Sequence, residues 1–312
     1  MSKKTGVAVV GISGLAGDML ISVLEDDTFS FTDLHLVDAD DEAGERRMIK
    51  GQSMRVEPIS RFDFSQIAVV VMASDAAFVQ EWAPKIRAAG ALLVDTSGSL
   101  GGQAVVAEVN PHALASSKEK GVVFSPDSQV VQSAIVLKAL TSIAPIQRVG
   151  IATYQSMSTH SRAAVEALAM QTSKLLNGQP VDKGVLDKQA AFNLSPCVSE
   201  LDEAGASREE RLLTAGVQAC LEAPDLPVLV NAVMVPLFYG SAQMMQVTFA
   251  EAPDVKRIVN MLRRAKGIKV LDKPAAGGFP NTIHMWIVSD NLRKGVAINS
   301  LMLAELLIKD YL

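Results

Sequence analysis

The chain has 312 residues, is 49% hydrophobic and 20% charged, and carries a net charge of −5. That is enough chain for two domains sharing an ordinary globular composition. The charge reads as spread along the chain rather than blocked, which argues against nucleic acid or an anionic membrane as a partner.

No apolar run reaches the roughly 18 residues that a membrane-spanning helix needs. The N-terminus lacks the pattern of a signal peptide, so a cytoplasmic location is expected. Cys197 and Cys220 show no metal-ligand spacing, and His35, His112, His160 and His284 show no i, i+4 pair. No metal centre is expected, nor a disulfide in a reducing compartment.

In chain order, Val7–Val10 reads as a buried strand, and Gly14 to about Leu24 as a helix. Leu34–Val37 and Ile67–Met72 read as strands, the second apolar throughout, as in a parallel sheet covered on both faces. A helix over Ala76–Ala89 and strands at Ala91–Val94 and Gly121–Phe124 continue the alternation. A parallel sheet with helices on both faces follows. A helix from about Ser128 to Leu140, a strand at Val149–Tyr154 and a helix from Arg162 to Leu176 come next. Residues 178–208 read as loop, and a helix follows from Arg208 to Leu221. Val228–Val235 and Gln243–Phe249 read as neighbouring strands. Gly295–Asp310 is an apolar terminal helix that must be packed, back against the first domain.

Gly11, Ser13, Gly14, Leu15, Ala16 and Gly17 lie where the first strand turns into the first helix. Glycines there permit a tight turn and let a pyrophosphate approach the backbone and the helix N-terminus. The same glycines would also serve close helix–sheet packing. Asp38 ends the second strand, where a carboxylate can accept hydrogen bonds from an adenosine ribose. Asp40, Asp41 and Glu42 follow it. Four acids there would repel a 2′-phosphate, which favours NAD over NADP; a solvated turn with helix-capping acids has the same composition.

Further motifs are Glu108-Val-Asn110, Ser125-Pro-Asp127-Ser128, Thr153-Tyr154-Gln155, Ala191-Phe192-Asn193 and Asp290-Asn291-Leu-Arg-Lys-Gly295. In this order and spacing the chain resembles aspartate-semialdehyde dehydrogenase along almost its whole length. The resemblance implies an α/β fold: a Rossmann-like dinucleotide-binding domain over residues 1–127 and 292–312, and an α+β dimerisation and substrate domain over 128–291. It also implies a homodimer, NAD or NADP as cofactor, and a cofactor contact at Asn291.

In that family a cysteine thiolate attacks the acyl carbon, and a helix start favours the anion. Ser128 stands at the cysteine's position, and Ser241 stands at the position of the family's histidine base. The arginines that grip phosphate and substrate carboxylate correspond to Gly101 and Met234, and a lysine corresponds to Leu212. Gly, Met and Leu cannot replace charge-assisted hydrogen bonds. Gln155 and Glu209 remain at family-like positions. The connection from Pro280 to Trp286 is much shorter than the family's and omits an arginine-bearing strand.

Losing the nucleophile alone costs on the order of 10⁶ in turnover, and losing its base adds little because the two act as a unit. The chain therefore resembles most the Usg-type paralogues of the dehydrogenase and is expected to be non-catalytic. It is either a self-paired scaffold or a partner of the active enzyme. The alternative is an NAD(P)-dependent oxidoreductase acting on another small semialdehyde by altered chemistry, drawing on Cys197 or His160.

Overall fold

A computed structural model describes residues 5–26, 28–196, 199–272, 275–276, 279 and 281–311. The chain forms two compact units, one of Met1–Val131 with Leu292–Leu312 and one of Gln132–Asn291.

The first unit begins with β1 (Gly6–Val10), α1 (Leu15–Glu25) and β2 (Leu34–Asp38). A hairpin of β3 (Arg46–Ile49) and β4 (Gln52–Pro58) follows, then β5 (Ile67–Met72), α2 (Ala76–Ala88) and β6 (Leu92–Asp95). Next come α3 (Leu114–Lys120), β7 (Val122–Phe124) and the start of α4 (Ser128–Thr141). The sheet runs β3-β4-β2-β1-β5-β6-β7, parallel except at the β3 edge. Period-2 alternation divides its side chains between two cores. Val9, Val69 and Val71 join Leu20 and Leu24 of α1 on one face, while Val10, Val70 and Met72 join Val79 and Ile86 of α2 on the other. All six residues of β5 are buried, as a strand covered on both faces requires. The β3–β4 hairpin was not anticipated, because exposed Arg46, Met48, Gln52 and Ser53 give it no apolar period.

The second unit contains β8 (Ile146–Gln155), α5 (Arg162–Leu176), α6 (Arg208–Leu221), β9 (Val228–Met234) and β10 (Ser241–Phe249). α7 (Val255–Arg264), β11 (Ala275–Ala276) and β12 (Thr282–Ser289) complete it. Its sheet runs β11-β12-β10-β8-β9. This corrects two expectations. β9 and β10 are not neighbours, since β8 lies between them, parallel to β9 and antiparallel to β10. Residues read as a short connection before Trp286 belong to β12, an eight-residue strand paired along β10 from Thr282 to Ser289.

The chain then returns to the first unit. A wide helical turn over Asn291–Ile298 leads into α8 (Asn299–Leu306). Leu301, Leu303, Ala304 and Leu307 are wholly buried in the core shared with α1. A Cβ on Gly295 would overlap both the Cα and the Cβ of Ser128, so the terminal segment seats against the start of α4 only because residue 295 has no side chain. Replacing Gly295 with Ala forces backbone to move on one side or the other. Overpacking of this kind costs about 1–3 kcal/mol. Thermal unfolding of Gly295→Ala, set beside Gly51→Ala as a control for positive φ in open space, should show the larger drop in midpoint for Gly295→Ala.

Candidate functional site

In the first unit β1 ends at Val10, and Gly11 follows with φ +85°, in the region only glycine adopts without strain. A Cβ there would lie 2.7 Å from the carbonyl oxygen of Ala73. Gly17 is demanded by packing, since a Cβ would overlap the backbone of Gly11 and Ile12. Gly14 differs from both. It caps α1 at φ −77°, and a Cβ on it would meet nothing closer than 4.0 Å. The fold does not need that glycine. α1 also lacks a side-chain N-cap, so no capping side chain occupies the amides of its first turn, where Leu15 and Ala16 sit. Open backbone and unfilled amide donors suit an anionic group.

Asp38 is 4% exposed, and both of its oxygens are engaged. Oδ2 accepts from the Ser13 amide at 2.8 Å and Oδ1 from the Ala39 amide at 2.8 Å. The carboxylate fastens the glycine loop to the end of β2. Asp40 accepts from the hydroxyl and amide of Ser60, and these bonds hold its pKa below the ordinary carboxylate value. Asp41 and Glu42 are exposed. A cation stands on β3 nearby, for Arg47 lies 3.2 Å from Glu45 and 4.0 Å from Asp18 in the first turn of α1.

Around Ser128 the motif residues serve structure. The Asn110 side chain accepts from the Val106 amide and donates to the Ala104 carbonyl. Glu108 and Lys294 form an ion pair with little exposure. Asn299 donates to Ser125 Oγ at 2.8 Å and to the Val105 carbonyl, and accepts from the Ala107 amide. Asp127 Oδ1 accepts from the Gln129 amide, capping α4. Ser128 itself opens α4 and is buried.

In the second unit, sheet register places Met234, Gln155, Ser241 and Ser289 in one row across β9, β8, β10 and β12. The first three are positions where the resemblance puts an arginine, a glutamine and a histidine. Ser241 Oγ donates to Gln132 Oε1 at 3.1 Å, and Gln132 Nε2 donates to the Ile287 carbonyl at 3.1 Å. A hydroxyl spending its proton this way is not held as a base. Gln155 is buried and donates to Thr153 Oγ1 at 3.2 Å. Gln132 was missed in the sequence, where it is one of several polar residues in α4.

Glu209 accepts from Ser199 Oγ, and its charge opposes the desolvation that keeps His160 below an ordinary histidine pKa. Its neighbour Glu210 closes a capping box with Ser207 and accepts from the Ala232 amide on β9. Asn291 accepts from the Gly240 amide at 2.9 Å and donates to Ser158 Oγ at 3.1 Å. Leu212 is exposed, and Gly101 has φ +69° with open space around it. Burial pushes the Cys220 thiol up to about 12, which leaves it inert at neutral pH. Cys197 lies outside the described residues. Among the described residues no cluster of three His, Cys, Asp or Glu could hold a metal ion, and no helix is long and apolar enough to cross a membrane.

The family described as semialdehyde dehydrogenase, NAD binding domain, matches residues 6–117, and semialdehyde dehydrogenase, dimerisation domain, matches residues 137–283. The chain belongs to the semialdehyde dehydrogenase family. Within it, the chain is 36% identical to a USG-1 protein homolog of Azotobacter vinelandii, with 99% of each chain covered. It is 30% identical to aspartate-semialdehyde dehydrogenase 2 of Vibrio cholerae over 100% of both. A crystal structure of aspartate semialdehyde dehydrogenase II from Vibrio cholerae matches with a TM-score of 0.92 and 30% identity, covering 99% of this chain and 100% of that one. The structure of a probable aspartate-semialdehyde dehydrogenase from Pseudomonas aeruginosa matches with a TM-score of 0.92 at 33% identity, with the same coverage.

Gln132→Ala removes the acceptor of Ser241, in buried surroundings, and the donor to Ile287, in partly buried ones. Stranded polar groups cost about 1–3 kcal/mol. Denaturant unfolding of Gln132→Ala and of the double variant Gln132→Ala/Ser241→Ala should show the double variant losing less than the sum of the two single losses.

Proposed function

We propose that the chain is a non-catalytic paralogue of aspartate-semialdehyde dehydrogenase, a self-paired scaffold that retains a nucleotide site and prefers NAD to NADP. The observation that carries this reading is the Ser241–Gln132 hydrogen bond, in which the residue at the base position is consumed by the fold. Ser128 lacks the acidity of a thiol, and Met234, Leu212 and Gly101 supply no cation where the family grips its substrate. The open glycine at Gly14 and the uncapped α1 support a retained nucleotide site. Exposed Asp41 and Glu42 support NAD by repelling a 2′-phosphate, although Arg47 tempers that field.

The decisive measurement is phosphate- and NADP-dependent oxidation of aspartate semialdehyde, run beside a cysteine-bearing dehydrogenase. Turnover should fall on the order of 10⁶ below the control. Turnover comparable to the control would overturn the reading. Calorimetric titration completes the test: NAD should bind more tightly than NADP, and heat from neither would reduce the glycine loop to architecture.

Self-pairing is supported by the second sheet's outer face, opposite the face that carries Ser241 and Gln243. Leu229, Trp286 and Val288 are 71%, 65% and 79% exposed there, and the Trp286 ring lies 5.2 Å from that of Tyr154. Apolar surface of this kind marks a protein interface. Val288→Glu should convert a sedimenting dimer to monomer, and an undiminished dimer would exclude this face.

A further inference from the structure

α7 and the turn after it carry Lys256, Arg257, Arg263, Arg264, Lys266 and Lys269, with no acidic residue from Val255 to Val270. The charge is therefore blocked here, contrary to the even spread read from the sequence. Ile258, Val259 and Leu262 are buried and fix the helix's rotation. Lys256, Arg257, Asn260, Arg263 and Arg264 share the opposite, exposed face at i, i+1, i+4, i+7 and i+8 spacing. Lys266 and Lys269 extend the exposed cations past the helix end.

Helix stability does not account for this face. Arg263 and Arg264 suit the last turn, but Lys256 and Arg257 stand in the first turn, where the helix dipole disfavours cations. No carboxylate sits three or four residues away within the helix to pair with any of them. None of the six forms an ion pair among the described residues, and Asp254 is engaged in capping the Lys256 amide at 2.8 Å.

We propose that the exposed face of α7 docks an acidic segment of a partner protein. Charge complementarity selects that occupant. A chain with net charge −5 that concentrates six cations here is still more acidic elsewhere, so a long polyanion such as duplex nucleic acid meets repulsion beyond the patch. The face carries no aromatic side chain on which a base could stack. The residues that share it are Lys256, Arg257, Asn260, Arg263 and Arg264, none of them an apolar side chain to enter a bilayer. A short acidic segment needs only the patch.

The test is fluorescence anisotropy of a fluorescein-labelled polyglutamate peptide against the full chain. Binding should weaken with added salt and fall about tenfold in Arg257→Glu/Arg264→Glu, as expected when several ion pairs of modest strength are reversed. Lys183→Glu/Lys188→Glu makes the same charge change at exposed residues elsewhere and should bind as the unaltered chain does. Arg257→Gln/Arg264→Gln should lose less than the charge reversal, and carries the test if the reversal misfolds. Equal affinity in every variant would overturn the proposal. Tighter binding to a duplex DNA oligonucleotide or to phosphatidylserine vesicles than to the peptide would also overturn it. So would loss of self-association in the charge-reversed chain, which would give the face to a second copy.

Discussion

Gly295 and the first residue of α4 stand so close that no side chain fits between them. Much of the first unit is arranged around that contact. Lys294 pairs with Glu108 immediately before it, and breaking a poorly solvated pair leaves an uncompensated charge. Arg293 pairs with Asp26 at the end of α1. Four residues beyond Gly295, the Asn299 amide group ties three further points together, at Ser125, Val105 and Ala107. Arg293, Lys294 and Gly295 thus fasten the terminal segment to the first unit, Gly295 at the helix start that carries Ser128. None of those roles involves a thiol, so the segment serves the fold whether or not the chemistry is present.

The second unit shows how the residues that the resemblance assigns to the site are bonded. Sheet register still aligns Met234, Gln155 and Ser241 in one row. Their polar capacity is turned inward: Gln155 to Thr153, Ser241 to Gln132, and Gln132 onward to a backbone carbonyl. Buried polar groups are stable only when bonded, and here the protein itself supplies the partners. The glycine loop of the first unit contrasts with this row. Gly14 and the uncapped start of α1 leave space and donors that no side chain of the loop fills.

The strands with continuous apolar runs were legible in the sequence. β1 and β5 bury every residue, so composition alone marks them. β12 was not legible, because Thr282-Ile-His-Met-Trp-Ile-Val-Ser exposes Trp286 and Val288 on its outer face. Apolar residues on both faces hide the period of 2. α7 was missed for another reason, since it is short and polar on average although Val255, Ile258, Val259 and Leu262 fall at i, i+3, i+4 and i+7. For the candidate site the sequence offered an expectation drawn from resemblance, with Ser128 set at a cysteine's position and Ser241 at a histidine's. Gln132 was invisible, because a glutamine among the other polar residues of α4 declares no partner until the strand beside it is placed.

By itself the sequence determined the family and the α/β class, since motif identity and apolar runs are local properties of the chain. Tertiary structure alone decided what the motif residues do. Which glycine serves packing and which is spare depends on the backbone that approaches it, from Ala73 at Gly11 and from Ile12 at Gly17. Whether Asp38 faces a ribose or a loop depends on where the Ser13 amide comes to rest. Whether Ser241 is free depends on a residue 109 positions away. Hydrogen-bond satisfaction and close contact are properties of pairs, and only folding brings those pairs together.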